Sequence, residues 1–163
     1  MTVVHMRIDN RLIHGQVTTT WANAINTNRL IVTNDKVARD PIQQMLLPQA
    51  ARGVPTSVLS VDDTLQYVRS EKGQKERLFI LAKLPEDALR LLEGGLQPEE
   101  INVGNQAPSP GTKFKMVTHS VAVTAEDAAI YRAIAEKGYR LTSKMMPSDR
   151  AIDFLETLKK NNL

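Results

Sequence analysis

The sequence predicts an α/β domain with a single open, mainly parallel sheet and helices on both faces. Three observations carry that expectation. Apolar runs of strand length alternate with stretches of helical periodicity along residues 1–163. Roughly 10–15 residues of helical pattern separate successive strands, as right-handed βαβ crossovers require. A length of 163 residues, 42% of them hydrophobic and 24% charged, suits one soluble domain with a real core, and no internal repeat or low-complexity linker divides it.

The elements follow in order. Val3 to Ile8 reads as the first strand. Gln16 to Ile25 carries Val17, Trp21, Ala24 and Ile25 at the spacing of one helix face. Leu30-Ile31-Val32 is a short buried strand. Asp40-Pro41 is an N-cap and first helical position, opening a helix expected to turn Ile42, Met45 and Leu46 inward. Thr56 to Leu59 is strand-like, and Val61 to Arg69 is helical with Leu65 and Val68 on one face. Leu78 to Leu81 is a further apolar run. Pro85 starts a helix through Leu89 and Leu92 that Gly94-Gly95 ends. Ile101-Asn102-Val103 begins another strand, followed by turns from Gly104 to Gly111. Val117 to Val123 reads as extended, Glu126 to Lys137 as helical, Tyr139 to Thr142 as a last strand, and Ser148 to Lys160 as a terminal helix.

Composition narrows the function classes. The 21 Lys and Arg against 18 Asp and Glu leave a net charge of +3, and no basic run exceeds Lys159-Lys160. A nucleic-acid surface built on basic clusters and aromatic stacking is therefore disfavoured despite a basic pI. With no Cys, disulfides, thiolate metal sites and cysteine nucleophiles are absent. The three His are far apart, no metal-ligand or dinucleotide-binding motif occurs, and neither metal nor cofactor is expected. No apolar run approaches the ~20 residues of a membrane span, and the first eight residues are too polar for a signal-peptide core. The expectation is an intracellular domain without membrane insertion, reaching a membrane only through a partner.

Parallel sheets bind ligands beyond the carboxyl ends of their strands. The first strand-to-helix loop concentrates Asp9, Arg11 and His14 within six positions. A neutral imidazole is nucleophilic near pH 7 without a separate base, so one His can carry a transferred group covalently. The amides of a following helix face an anion placed before it, Gly15 permits close backbone approach, and Arg11 offers planar donors to phosphoryl oxygens. Asp9 is in reach to orient either the His ring or Arg11. Phosphoryl transfer needs mainly such positioning and charge. The same residues also fit a plainer role, with His14 capping a helix and Asp9–Arg11 a solvated ion pair. Gly104 and Asn105 are candidates for a second wall of the crevice or for a turn. Lys83 faces either the crevice or, more simply, solvent. His5 and His119 read as structural, Met145-Met146 as packing, and Leu12 and Ile13 as either partner contacts or inward anchors.

The run Arg7-Ile8-Asp9-Asn10-Arg11-Leu12-Ile13-His14-Gly15-Gln16-Val17, with Trp21 four positions further on, closely resembles the signature of the enzyme IIB component of the mannose/fructose/sorbose family of bacterial phosphotransferase systems. Asn34-Asp35, Asp40-Pro41 with Gln44, and Ile101 to Asn105 resemble later segments of the family in the right order. The resemblance implies a protein-phosphohistidine–sugar phosphotransferase. In it, His14 receives a phosphoryl group on Nδ1 from a phosphohistidine of the cognate IIA protein and passes it to a sugar held by the membrane IIC/IID permease. It further implies that Arg11 steadies the phosphoryl group, with Asp9 orienting and Asn10, Gly15, Gln16 and the helix amides around it. Gly104, Asn105 and Lys83 stand as more distant crevice candidates, whose place beside His14 depends on the strand order. No metal, nucleotide or nucleic acid is implied. A cytoplasmic protein, peripheral to the inner membrane through the permease and free-standing rather than fused to IIA, is expected. Asn10 and Gln106 depart from the family's usual acidic residue and Met. The rival expectation is a non-catalytic phosphate-sensing module built on the same loop.

Overall fold

The structure, a computed structural model, describes residues 3–163. β1 (Val3–Asp9) leads through a loop to α1 (Gly15–Ala24) and β2 (Arg29–Thr33). Two helices, α2 (Asp35–Ala38) and α3 (Pro41–Ala50), precede β3 (Thr56–Leu59). Next come α4 (Val61–Arg69), α5 (Glu71–Lys75), β4 (Leu78–Ala82), α6 (Pro85–Glu93) and β5 (Ile101–Asn105). A short ribbon, β6 (Phe114–Met116) with β7 (Ala122–Thr124), leads into α7 (Ala125–Glu136). The chain ends with β8 (Leu141–Ser143), β9 (Ile152–Asp153) and α8 (Phe154–Lys160).

The main sheet has the order β3-β2-β4-β1-β5-β8-β9, parallel except for the antiparallel edge strand β9. Because β1 and β4 sit side by side at its centre, their neighbours lie in opposite directions, and the loops after them diverge to open a crevice. Strand alternation divides the core in two. On one face Met6, Ile8, Ile31, Ile80 and Val103 pack against α4, α6, α7 and α8. On the other, Leu30, Val32, Phe79 and Leu81 meet Trp21 and Ala22 of α1, Val37 of α2 and Leu47 of α3. The expected architecture is the one observed.

The second face carries an unusual load. His5, Arg7 and Asp9 alternate with the apolar residues of β1 and are all buried. Asn102 and Thr142, on β5 and β8, are buried too. Asn102 accepts a hydrogen bond from Arg7 Nη1 and donates to Thr142 O at 3.2 Å. A polar seam thus crosses the middle of the sheet toward the end of β1.

Several elements differ from expectation. Ile42, Met45 and Leu46 are 61%, 58% and 49% exposed, so α3 turns away the stripe expected inside. Its phase is set by polar anchors: Asp40 Oδ1 accepts from Ile42 N and Gln43 N, and Gln44 Nε2 donates to Ala38 O and Val58 O at 2.8 and 2.9 Å. That places Leu47, with Ala51 beyond the helix end, against the core. Residues 117–121 form the turn between β6 and β7 rather than one extended strand. The terminal helix begins only at Phe154, because the Asp153 carboxylate caps Leu155 N and Glu156 N after the short edge strand β9. α2 and α5 were not foreseen; each is about one turn long, capped by Asn34 and Ser70.

Candidate functional site

The loop from Asn10 to His14 is shaped by two left-handed residues. Leu12 has φ +64, a conformation that costs a non-glycine residue about 1–2 kcal/mol. Burial of its side chain with Ile13 in the α1-side core offsets that cost. Both residues therefore anchor the loop inward. Gly15 has φ +50, where its lack of a side chain removes the penalty. Between these anchors His14 is turned outward and exposed.

His14 N donates to Thr18 Oγ1 at 2.9 Å, which fixes the backbone ahead of α1. Its ring makes no hydrogen bond among the described residues, and no side chain caps the ten-residue helix α1. The first-turn amides, at the positive end of the helix dipole, are thus left without a side-chain partner directly after His14. The plainer capping role foreseen for His14 is not what its ring does here.

Asp9 is committed to arginines rather than to the imidazole. Its Oδ1 accepts from Arg11 N at 3.0 Å and Arg11 Nε at 3.3 Å, and its Oδ2 from Arg11 Nη2 at 3.1 Å. On its buried side Arg7 Nε lies 3.4 Å from Oδ2. Arg7 in turn donates to Lys144 O at 2.9 Å and sits 5.1 Å from the Trp21 ring centre. Met145 brings its thioether to 3.5 Å from Arg11 Nη2 and 3.7 Å from Arg7 Nη2, while its carbonyl accepts from Trp21 Nε1 at 2.8 Å. Arg11 is therefore held by Asp9 and Met145, with its side chain 24% exposed.

The other expected residues take different places. Asn10 Oδ1 accepts from Ala107 N at 3.0 Å and Asn105 Nδ2 at 3.2 Å, and Asn10 Nδ2 donates to Ala107 O. Asn10 and Asn105 thus clip the β1 and β5 loops together instead of standing free for an anion. Gly104 lies beneath Arg7, where a Cβ would fall inside the guanidinium, so its smallness serves the arginine. Half-buried Lys83 lines a cavity of about 470 Å³ with Asn10, Asn34 and Arg39; His14 is not among that cavity's lining residues. Gln16 is exposed on the first turn of α1, and its carbonyl accepts from Thr19 and Thr20. None of Asn105, Lys83 and Gly104 reaches the His14 ring by a hydrogen bond.

His5 and His119 remain apart from the site. His119 is exposed in the β6–β7 turn. His5 is buried and stacked on Trp21 at 4.7 Å. Burial first, then the charges of Arg7 and Lys144, push its pKa down to about 3, so the ring is neutral. Sequence reasoning missed Arg7 and Met145 as supports. A charged residue inside an apolar strand was a readable signal for Arg7, whereas nothing near Met145 marked its approach to Arg11. Among the described residues no group of three His, Asp or Glu stands together as a metal site, and no helix is long and apolar enough to cross a membrane.

Comparison with known proteins places this geometry in context. The family model described as the sorbose subfamily IIB component of the phosphotransferase system matches residues 3–163. The sorbose-specific EIIB component of Klebsiella pneumoniae is 33% identical over 161 residues, covering 98% of this chain and 97% of that protein. The mannose-specific EIIAB component of Escherichia coli K12 is also 33% identical, with 98% of this chain matching 49% of its length. The crystal structure of the IIBSor domain of the Klebsiella pneumoniae sorbose permease superposes with a TM-score of 0.92 at 33% identity, covering 98% of both chains.

Proposed function

The chain belongs to the sorbose subfamily of phosphotransferase-system IIB components, whose part is phosphoryl relay in sugar uptake, and from that premise we propose that His14 is its covalent carrier. One observation carries this reading: an exposed imidazole without a hydrogen-bond partner stands at the uncapped start of α1, three positions after an arginine fixed by Asp9. His14 is open on the surface rather than sunk in the nearby cavity, which suits exchange with a second protein.

The donor is a phosphohistidine on a IIA partner. Its phosphorus–nitrogen bond breaks as a new one forms to an unprotonated ring nitrogen of His14, and each ring keeps the proton on its other nitrogen. Arg11 and the α1 amides balance the charge of the three peripheral oxygens, the main demand of this chemistry. In the second transfer a sugar hydroxyl held by the membrane IIC/IID permease attacks phosphorus, the bond to His14 breaks, and the hydroxyl proton is released. The protein works at the cytoplasmic face of the membrane through that permease. The EIIAB name of the Escherichia coli relative joins A and B parts in one protein, which supports a IIA donor for this chain.

The test is label transfer from a phosphorylated mannose-family IIA to wild type and to His14→Ala, with peptide mapping under alkaline conditions. Acid-labile phosphate on the His14 peptide is expected in wild type and none in the variant. Failure of wild type to accept label from a donor competent with another IIB protein refutes the relay for that pairing and leaves phosphate sensing as the alternative.

A further inference from the structure

We propose that Arg52, from an element distant in sequence, is a second guanidinium ligand of the phosphoryl group on His14; this rests on the reading of His14 as the carrier. Arg52 lies in the turn after α3, next to Ala51, which is fully buried against the same core that holds Leu12, Ile13 and Trp21. The backbone bond from Arg52 N to Gln49 O at 3.4 Å closes that turn. The turn is therefore fixed relative to the His14 loop through packed side chains. From it the Arg52 side chain extends toward the start of α1: its Nη2 lies 3.9 Å from the point where a Cβ on Gly15 would sit.

Two features bear on what Arg52 is free to do. Its side chain is exposed and makes no hydrogen bond or ion pair among the described residues, so its guanidinium is free for a ligand, whereas Arg7, Arg11 and Arg29 each hold a carboxylate. Its backbone has φ +51, where a side chain is disfavoured and glycine is cheapest. That conformation ends α3, with Val54 N donating to Ala51 O at 3.2 Å across the turn. A strained residue with a free guanidinium beside a group-carrying side chain is what a ligand clamp looks like before its ligand arrives.

The chemistry agrees. Arg11 already directs Nε and Nη2 to Asp9, which leaves it few donors for the three phosphoryl oxygens. Arg52 has all five free, in a planar fork that matches two oxygens of one phosphoryl group. Gly15 then has a second use, since any side chain there would stand toward the approaching guanidinium. Arg11, Arg52 and the α1 amides would surround the phosphoryl group from three directions and leave the fourth to the partner.

The full chain, phosphorylated on His14 with phosphoramidate and no partner protein, provides the test. Arg52→Gly is suited to the φ +51 backbone and should leave the stability of the free protein unchanged or slightly raised. The expected result is that phospho-His14 hydrolyses about tenfold faster in Arg52→Gly than in wild type, with Arg52→Lys between them. Its ³¹P resonance should also move, and one Arg52 guanidinium proton should become protected on phosphorylation of wild type. Equal hydrolysis rates and an unmoved resonance, with His14 labelled in both proteins, would overturn the role of Arg52 and leave His14 as carrier. Absence of label on wild-type His14, here and from a competent IIA donor, would overturn the carrier reading and this inference with it.

Discussion

His5 shows how much one residue can weigh. Both ring nitrogens are buried without a hydrogen-bond partner, and Glu100 Oε2, the nearest carboxylate oxygen, is 3.8 Å from Nδ1. With a folded pKa of about 3 against an ordinary 6.5, the unfolded chain binds the proton first as pH falls. Stability linked to His5 is therefore full above pH 6.5 and declines toward pH 3, by at most about 1.4 kcal/mol per unit. Urea midpoints at pH 7.5 and 5 should diverge between wild type and His5→Phe, the variant losing less on acidification; parallel losses would refute the assignment. At this scale the sequence was legible wherever chemistry is local. Asp9, Arg11 and His14 share one loop, and the Asp9–Arg11 pair spans two positions. Arg7 was marked only as a charge inside an apolar strand, and Met145 and Arg52 were hidden because they come from the loop after β8 and the turn after α3.

Helix α3 makes the parallel point for an element. Its apolar residues at 42, 45 and 46 have the right spacing for a core stripe, yet Asp40 and Gln44 rotate the helix so that Leu47 is the buried residue. Periodicity revealed the helix, and hydrogen bonds to α2 and β3, unreadable from spacing, chose its phase. Ile42→Gln and Met45→Gln should each shift stability by no more than about 0.5 kcal/mol. Leu47→Ala should cost about 2–5 kcal/mol. Chemical denaturation of the three variants checks the phase, and the reverse order of losses would contradict it. The short edge strand β9 was missed for a related reason, since two residues carry no periodicity and only pairing with β8 defines them.

For the whole molecule, the sheet ranks its own parts. β4 is flanked by β1 and β2, strands whose residues are buried along both faces, whereas every residue of β6 is exposed. Hydrogen exchange should be slowest in β1, β2 and β4 and fastest in the β6–β7 ribbon. Protection of the ribbon equal to that of β4 would show that the molecule opens only as one unit. The His14 loop springs from the end of β1, so its geometry is borrowed from the most protected part of the chain while its tip stays open to partners. The fit of Arg7 over Gly104 has a historical consequence. Positions 7 and 104 are separated by most of the chain but form one unit of inheritance. A lineage that enlarges residue 104 must first give up the arginine, and with it one of the two cations that hold Asp9. Drift at position 104 alone is closed for as long as Arg7 stays in place.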